Sequence, residues 1–264
     1  MKVRTLMYHD VAPEAELPAS GFPGADAGHY KLTVGKFAEH LDAFAKAGLV
    51  SPQIVTASGA LTANAETPKW MITFDDGGSG AIHAAAELEK KNWRGHFLIT
   101  TTRIGSPGFL SAAQIADLHA RGHCIGSHSA THPVPISSLT SAQLDDEWRT
   151  SIAALREITG APVIVASVPG GFHSRAVAGS AARAGLQFLF TSEPTARTSH
   201  CGAMQVLGRY AIFSKTNART AAALATGAGG AAIRQSTFWQ MKKIAKRVLG
   251  PLYLTVRQKW FNRN

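Results

Sequence analysis

Short apolar runs that end on polar residues recur along this chain, each followed by a helix-length amphipathic stretch, and that rhythm points to parallel βαβ units. The runs fall at residues 3–8, 70–74, 96–100, 124–126, 163–167, 187–191 and 205–212. Thr33 can cap a helix through Ala47 with Phe37, Leu41, Phe44 and Ala45 on one face, and Gly48 ends it. Further helices are expected over residues 81–91, from the Ser111 cap to Arg121, from Thr140 to Ile158, and over residues 174–184. Residues 11–32, rich in Pro, Gly and Ala, read as a long loop. No glycine-rich phosphate loop follows an early strand, so an open nucleotide-binding sheet loses ground to a barrel. Asp75, Asp76, His128, Gly170 and Glu193 fall just after predicted strands, where barrels place active sites.

With 264 residues, 45% of them hydrophobic and 17% charged, the chain can bury a core without disulfides or a structural metal. Cys124 and Cys201 form no CxxC pair and read as small buried residues, in keeping with a reducing compartment. The opening apolar stretch breaks at His9 and Asp10, so neither a signal peptide nor a membrane span is expected, and the expected location is the cytoplasm.

The net charge of +10 is uneven: after Glu193 come twelve Lys or Arg and no acid. Residues 1–220 are expected to form the barrel, and residues 221–264 an Ala/Gly-rich linker followed by a basic amphipathic tail. In residues 234–264, eight Lys or Arg are interleaved with Phe238, Trp239, Ile244, Val248, Leu249, Leu252, Tyr253, Trp260 and Phe261, and Pro251 breaks the stretch. Such a segment reads as an interfacial helix on anionic lipid at the inner membrane face, or as a terminal helix packed on the barrel. No recognised nucleic-acid module accompanies the charge, and nucleic acid is not an expected partner.

Two clusters carry chemistry. In Thr73-Phe74-Asp75-Asp76-Gly77, adjacent carboxylates at a strand end diverge, so one can bind a metal while the other faces water. In His128-Ser129-Ala130-Thr131-His132, the i, i+4 spacing brings two imidazoles together on one face of a helical turn. One carboxylate and two imidazoles make a three-ligand set with an open position, as in catalytic zinc sites.

In this order and spacing, TFDDG and HSxxH resemble the polysaccharide deacetylase superfamily (carbohydrate esterase family four) over roughly residues 1–215. The resemblance implies a distorted (β/α)7 barrel that removes N- or O-acetyl groups from glycans. It implies Asp75 as general base and Asp76, His128 and His132 as ligands of one divalent ion, with zinc expected. Ser129 or Thr131 would orient these ligands. The family's Arg-x-Pro-x-Gly stretch is here Ser167-Val168-Pro169-Gly170-Gly171. Pro169, Gly170 and Gly171 fit a loop whose backbone N–H meets an oxyanion, but the arginine that pairs with the base is missing. Arg209, Arg175 or Arg197 could replace it. The family's late histidine, its general acid, is also absent. His9, His173 and His200 are candidates, and His9 is favoured because it ends the first predicted strand. Glu193 is placed to meet an arginine or the substrate.

The expected function is removal of acetyl groups from an amino sugar in a polysaccharide or lipid-linked saccharide. A catalytically weak barrel that binds carbohydrate or a membrane partner is the alternative that the two departures keep open. A non-peptide amidase would share the metal site and differ in substrate.

Overall fold

The structure, a computed structural model, describes residues 2–56, 58–61 and 69–249. The chain opens with β1 (Arg4–Tyr8), β2 (Val11–Ala12), the short α1 (Ala25–Gly28), β3 (Leu32–Thr33) and α2 (Val34–Lys46). It continues through β4 (Trp70–Phe74), α3 (Ala81–Glu89), β5 (His96–Ile99), α4 (Ala112–Ala120), β6 (Cys124–Ser127) and α5 (Ser141–Thr159). After these come β7 (Val165–Ser167), α6 (Arg175–Arg183), β8 (Phe188–Phe190), β9 (Thr198–Cys201), β10 (Met204–Leu207) and β11 (Tyr210–Ala211). Two helices follow, α7 (Ala218–Thr226) and α8 (Ala231–Leu249).

Nine strands form one sheet in the order β11-β1-β4-β5-β6-β7-β8-β10-β9. Every neighbouring pair is parallel except β10 and β9. The sheet curls into the expected distorted (β/α)7 barrel, with β11 and β9 as its edges.

Strand periodicity sorts the side chains. On β4, Trp70, Ile72 and Phe74 join the layer packed under the helices, and Met71 joins the cluster inside the curl. Leu98, Val165, Phe188, Phe190 and Leu207 belong to the same inner cluster. Two residues further along an inner-facing row, in the next layer, stand Thr73 and then Asp75, Ser167, and Arg209. Apolar residues therefore fill the lower interior, and polar ones occupy its C-terminal mouth. The outer layer closes with α2, whose buried residues are Phe37, His40, Leu41 and Phe44.

The helix starts follow local chemistry. Thr33, Ser111, Thr140 and Ser174 each accept a backbone N–H at the predicted helix start, and Ser111 and Thr140 complete capping boxes with Gln114 and Gln143. Several expectations change. Ala45 is exposed, and His40 takes a place on the buried face of α2. Residues 11–32 contain the small parallel pair β2–β3. Residues 205–212 do not form one strand: β10 and β11 are separated at Gly208, where a Cβ would lie 2.3 Å from the Glu193 carbonyl oxygen. The expected linker begins inside α7, whose Ala221, Leu224 and Ala225 are buried, so the helix belongs to the barrel's outer layer. Cys124 and Cys201 are free and half-buried, and burial pushes the Cys124 thiol up to about 12. Of the tail, Phe238 and Trp239 lie on α8. Residues 250–264, including Pro251, Leu252, Tyr253, Trp260 and Phe261, lie outside the described residues, as do the side chains of Ile244, Val248 and Leu249.

The interior leaves no space at Gly126, on the strand that leads to His128. A Cβ there would lie 2.6 Å from Leu98 Cδ2 and 2.7 Å from the Val165 carbonyl oxygen. Gly126→Ala should destabilise the protein by about 1–3 kcal/mol through overpacking. A lowered urea midpoint checks this, and an unchanged midpoint would mean that β6 can shift.

Candidate active site

Asp75 and Asp76 follow β4 directly, and their surroundings differ. Asp75 lies in the inner row and meets Arg209, which is 0% exposed. Arg209 Nη1 donates to Asp75 Oδ1 at 2.7 Å and Nη2 to Asp75 Oδ2 at 2.8 Å. The same guanidinium donates to Thr73 Oγ1 at 3.0 Å and, through Nε, to the Thr191 carbonyl oxygen at 3.0 Å, and it lies over the Phe190 ring. Burial alone would raise the Asp75 pKa. The charge of Arg209, then that of His128, and the hydrogen bonds from Arg209 outweigh it and hold the carboxyl well below the usual range. Of the candidate arginines, then, Arg209 meets the aspartate, whereas Arg175 and Arg197 are exposed.

Asp76 takes φ +75, a left-handed conformation that turns its side chain out of strand alternation and into the mouth beside Asp75. Its Oδ1 is buried without a hydrogen-bond partner. That oxygen lies 3.4 Å from His128 Nε2 and 3.6 Å from His132 Nε2. The three ligand atoms lie within 4.8 Å of one another.

His128 is held by its other nitrogen. Nδ1 lies 2.5 Å from Ser167 Oγ, and Ser167 Oγ donates to Asp75 Oδ1 at 3.1 Å. With the serine proton committed to Asp75, His128 donates from Nδ1 to Ser167 Oγ and turns Nε2 toward Asp76. Ser167, at the position of the missing motif arginine, thus joins the Asp75 carboxylate to His128. Burial would lower the His128 pKa, but the charges of Asp75 and Asp76 outweigh it and raise it. Burial lowers the His132 pKa to about 4, helped by His128, so its ring is neutral near pH 7. One buried, unpartnered carboxylate oxygen and two imidazole nitrogens suit a divalent ion, and Asp76, His128 and His132 are the residues that could hold it.

The histidine pair does not sit on a helical turn. Residues 128–132 form a loop, with Ser129 at φ +63 and His132 at φ +58. Ser129 N–H donates to Ser127 Oγ at 3.0 Å, and His132 N–H to Ser129 Oγ at 3.1 Å. A capped loop replaces the helix and still brings both rings to one point, 5.0 Å between centroids.

His9, one residue beyond β1, is close enough for the charges of Asp76, Asp75, His128 and Arg209 to act on it. Burial lowers its pKa, and its Nδ1 has no hydrogen-bond partner. The Tyr30 ring lies against it at 4.4 Å between centroids. His173 and His200 are exposed, the latter on the edge strand β9. Pro169, Gly170 and Gly171 form a single tight turn beyond β7, with Gly170 at φ +59 and Gly171 at φ +70. Glu193 meets Arg209 through its backbone: its carbonyl oxygen accepts the Arg209 backbone N–H at 2.9 Å. Its carboxylate is not the guanidinium's partner, since Asp75 takes that place. The sequence reading missed three neighbours: Tyr30, Glu147, and Phe22, whose ring lies 4.9 Å from that of His132.

The polysaccharide deacetylase family model matches residues 62–189. The fold is similar to that of a polysaccharide deacetylase from Bacillus cereus, at 22% identity and a TM-score of 0.69, covering 85% of this chain and 69% of that one. It is similar to IcaB from Ammonifex degensii at 20% identity and a TM-score of 0.66, covering 85% and 97%. The Streptococcus pyogenes deacetylase PplD, solved in complex with acetate, is 19% identical with a TM-score of 0.65, covering 83% and 96%. At these identities the likeness is one of fold. Comparison with curated proteins gives no match.

The buried ion pair makes stability depend on pH. The folded-state pKa of Asp75 lies below an unfolded value of about 3.9, so the pair's contribution is fully present above that value. It is lost as pH falls from there through the folded-state pKa. Arg209→Met should cost about 3–5 kcal/mol at pH 7, because it leaves a buried carboxylate uncompensated, and should flatten the acid limb of the stability curve. Urea unfolding of both proteins between pH 7 and 3 checks this, and parallel curves would exclude the pair as the source.

Proposed function

We propose that this chain, a member of the polysaccharide deacetylase superfamily, is a metal-dependent hydrolase that removes acetyl groups from an amino sugar in a polysaccharide or lipid-linked saccharide. Family and fold support deacetylase function. The observation that carries the metal dependence is the unequal treatment of two adjacent carboxylates. Asp75 is compensated by Arg209, whereas Asp76 keeps a buried, unpartnered oxygen between two imidazoles. This contrast also favours an enzyme over a catalytically weak binding barrel.

Asp76, His128 and His132 would hold the ion, with zinc fitting a donor set of one carboxylate and two imidazoles. A bound divalent ion supplies Lewis acidity, polarising the acetyl carbonyl and lowering the pKa of water toward ~7. Asp75 is the base that receives the proton of the attacking water. Its Oδ2 accepts one bond from Arg209 and retains a lone pair directed by that bidentate grip. The ion pair with Arg209 keeps Asp75 ionised at neutral pH and fixes its orientation, at a cost in basicity. The backbone N–H at Gly170 is the candidate donor to the oxyanion, on a turn that only positive φ allows. His9, whose buried Nδ1 has no hydrogen-bond partner, is the candidate donor to the leaving nitrogen; burial lowers its pKa, so it has to gain that proton within the reaction. The products are acetate and the free amino sugar.

For the tail we propose contact with an anionic membrane surface at the cytoplasmic face. Ile233 and Met241 on α8 are 70% and 63% exposed, and every charged side chain after Glu193 is basic. Each basic residue near such a surface adds ~1 kcal/mol.

Three experiments test these readings. Elemental analysis should find about one divalent ion per chain and its loss in His128→Ala, as expected for a three-ligand site. Asp75→Asn should keep the ion and lose at least ~10²-fold in acetate release from acetylated chito-oligomers. Equal metal content in wild type and His128→Ala sinks the site, and metal loss in Asp75→Asn reverses the two aspartates' roles. Liposome sedimentation should show salt-sensitive binding of the full chain to anionic vesicles and none by a chain ending near Ala231. Equal behaviour of the two excludes the tail as an anchor.

A further inference from the structure

The two histidines of the proposed metal site are fastened differently. His128 is anchored through its own ring by Ser167. No hydrogen bond from another described residue reaches the His132 ring. Its position therefore depends on the backbone that carries it, where Ser129 and His132 both hold left-handed conformations. Non-glycine residues pay ~1–3 kcal/mol for such backbone unless the surroundings enforce it.

Enforcement comes from α5. Glu147 Oε2 accepts the backbone N–H groups of Ala130 and Thr131, both at 2.9 Å, and Oε1 accepts the Thr131 hydroxyl at 2.6 Å. One carboxylate thus holds both residues that precede the turn into His132. Four residues on, and so on the same face of α5, Ser151 Oγ lies 2.7 Å from Ser127 Oγ, which accepts the Ser129 N–H. The helix grips the loop at its start and its middle.

We propose that Glu147 is a positioning residue that sets metal affinity by holding His132 in its ligating place through the loop backbone. Carboxylates commonly support ligand histidines through the imidazole. Here the same support reaches His132 through two peptide N–H groups. The inference rests on the metal site proposed above.

Divalent ion affinity, measured by competition with a chromophoric chelator on metal-free protein, tests it. Glu147→Ala should weaken binding by 10–100-fold, the usual effect of removing a supporting partner. Glu147→Gln should stay close to wild type, because its amide oxygen can accept both N–H groups while its NH2 meets the Thr131 hydroxyl oxygen. Thr131→Ala, which removes one of the three bonds, should fall between. Thermal unfolding without metal should move little in Glu147→Gln and Thr131→Ala, which separates positioning from folding. If Glu147→Ala fails to fold, Thr131→Ala against Glu147→Gln decides. Wild-type affinity in both Glu147→Ala and Thr131→Ala overturns the inference alone, or wild-type affinity in Thr131→Ala where Glu147→Ala does not fold. A wild-type protein that takes up no ion overturns the metal site as well.

Discussion

A carboxylate inside a barrel has to be paired, and the Asp75–Arg209 ion pair is the contact on which the rest of the mouth depends. The guanidinium also spans from Thr73 on β4 to the Thr191 carbonyl beyond β8, so one side chain joins two separated parts of the sheet. Because Asp75 is compensated, its neighbour Asp76 can be left with an unpartnered oxygen. Two residues of the same type, one peptide apart, thereby acquire different partners, a guanidinium for Asp75 and two imidazoles for Asp76. Ser167 carries this organisation further, giving its proton to Asp75 and accepting that of His128. Asp75, its counter-ion Arg209 and His128 form one connected network.

Much of this was legible in the chain. Helix starts at Thr33, Ser111, Thr140 and Ser174 could be read because capping depends on a residue and the three that follow it. Asp75, Asp76, His128 and His132 could be read because short motifs keep their residues together. Arg209 stood among three candidates, and choosing it required knowing which strand faces β4 across the curl. The helical turn expected for residues 128–132 was wrong for an instructive reason. An i, i+4 spacing fits a helix, but side-chain caps and left-handed residues can bring the same two rings together in a loop.

Other features left little local signal. Gly208 interrupts an apolar run that otherwise reads as one strand, and the reason lies fifteen residues earlier at the Glu193 carbonyl. The Ala-rich start of the expected linker is a packed helix because α2 offers a surface where small side chains suffice. Glu147 looks like any acid on a half-exposed helix face, and only the folded chain brings it to residues 130 and 131.

The left-handed backbone at Asp76, Ser129 and His132 constrains how this sequence can drift. At such angles glycine is the substitution that the main chain accepts most readily. Glycine would remove a carboxylate, a hydroxyl that holds the loop, or an imidazole. Larger residues that keep a donor atom meet the backbone penalty instead. Each position is caught between two opposing demands, and few exchanges satisfy both. Tolerance to substitution should therefore be narrowest in the loops of the mouth, where surface segments ordinarily vary most, and wider in the helices that surround them.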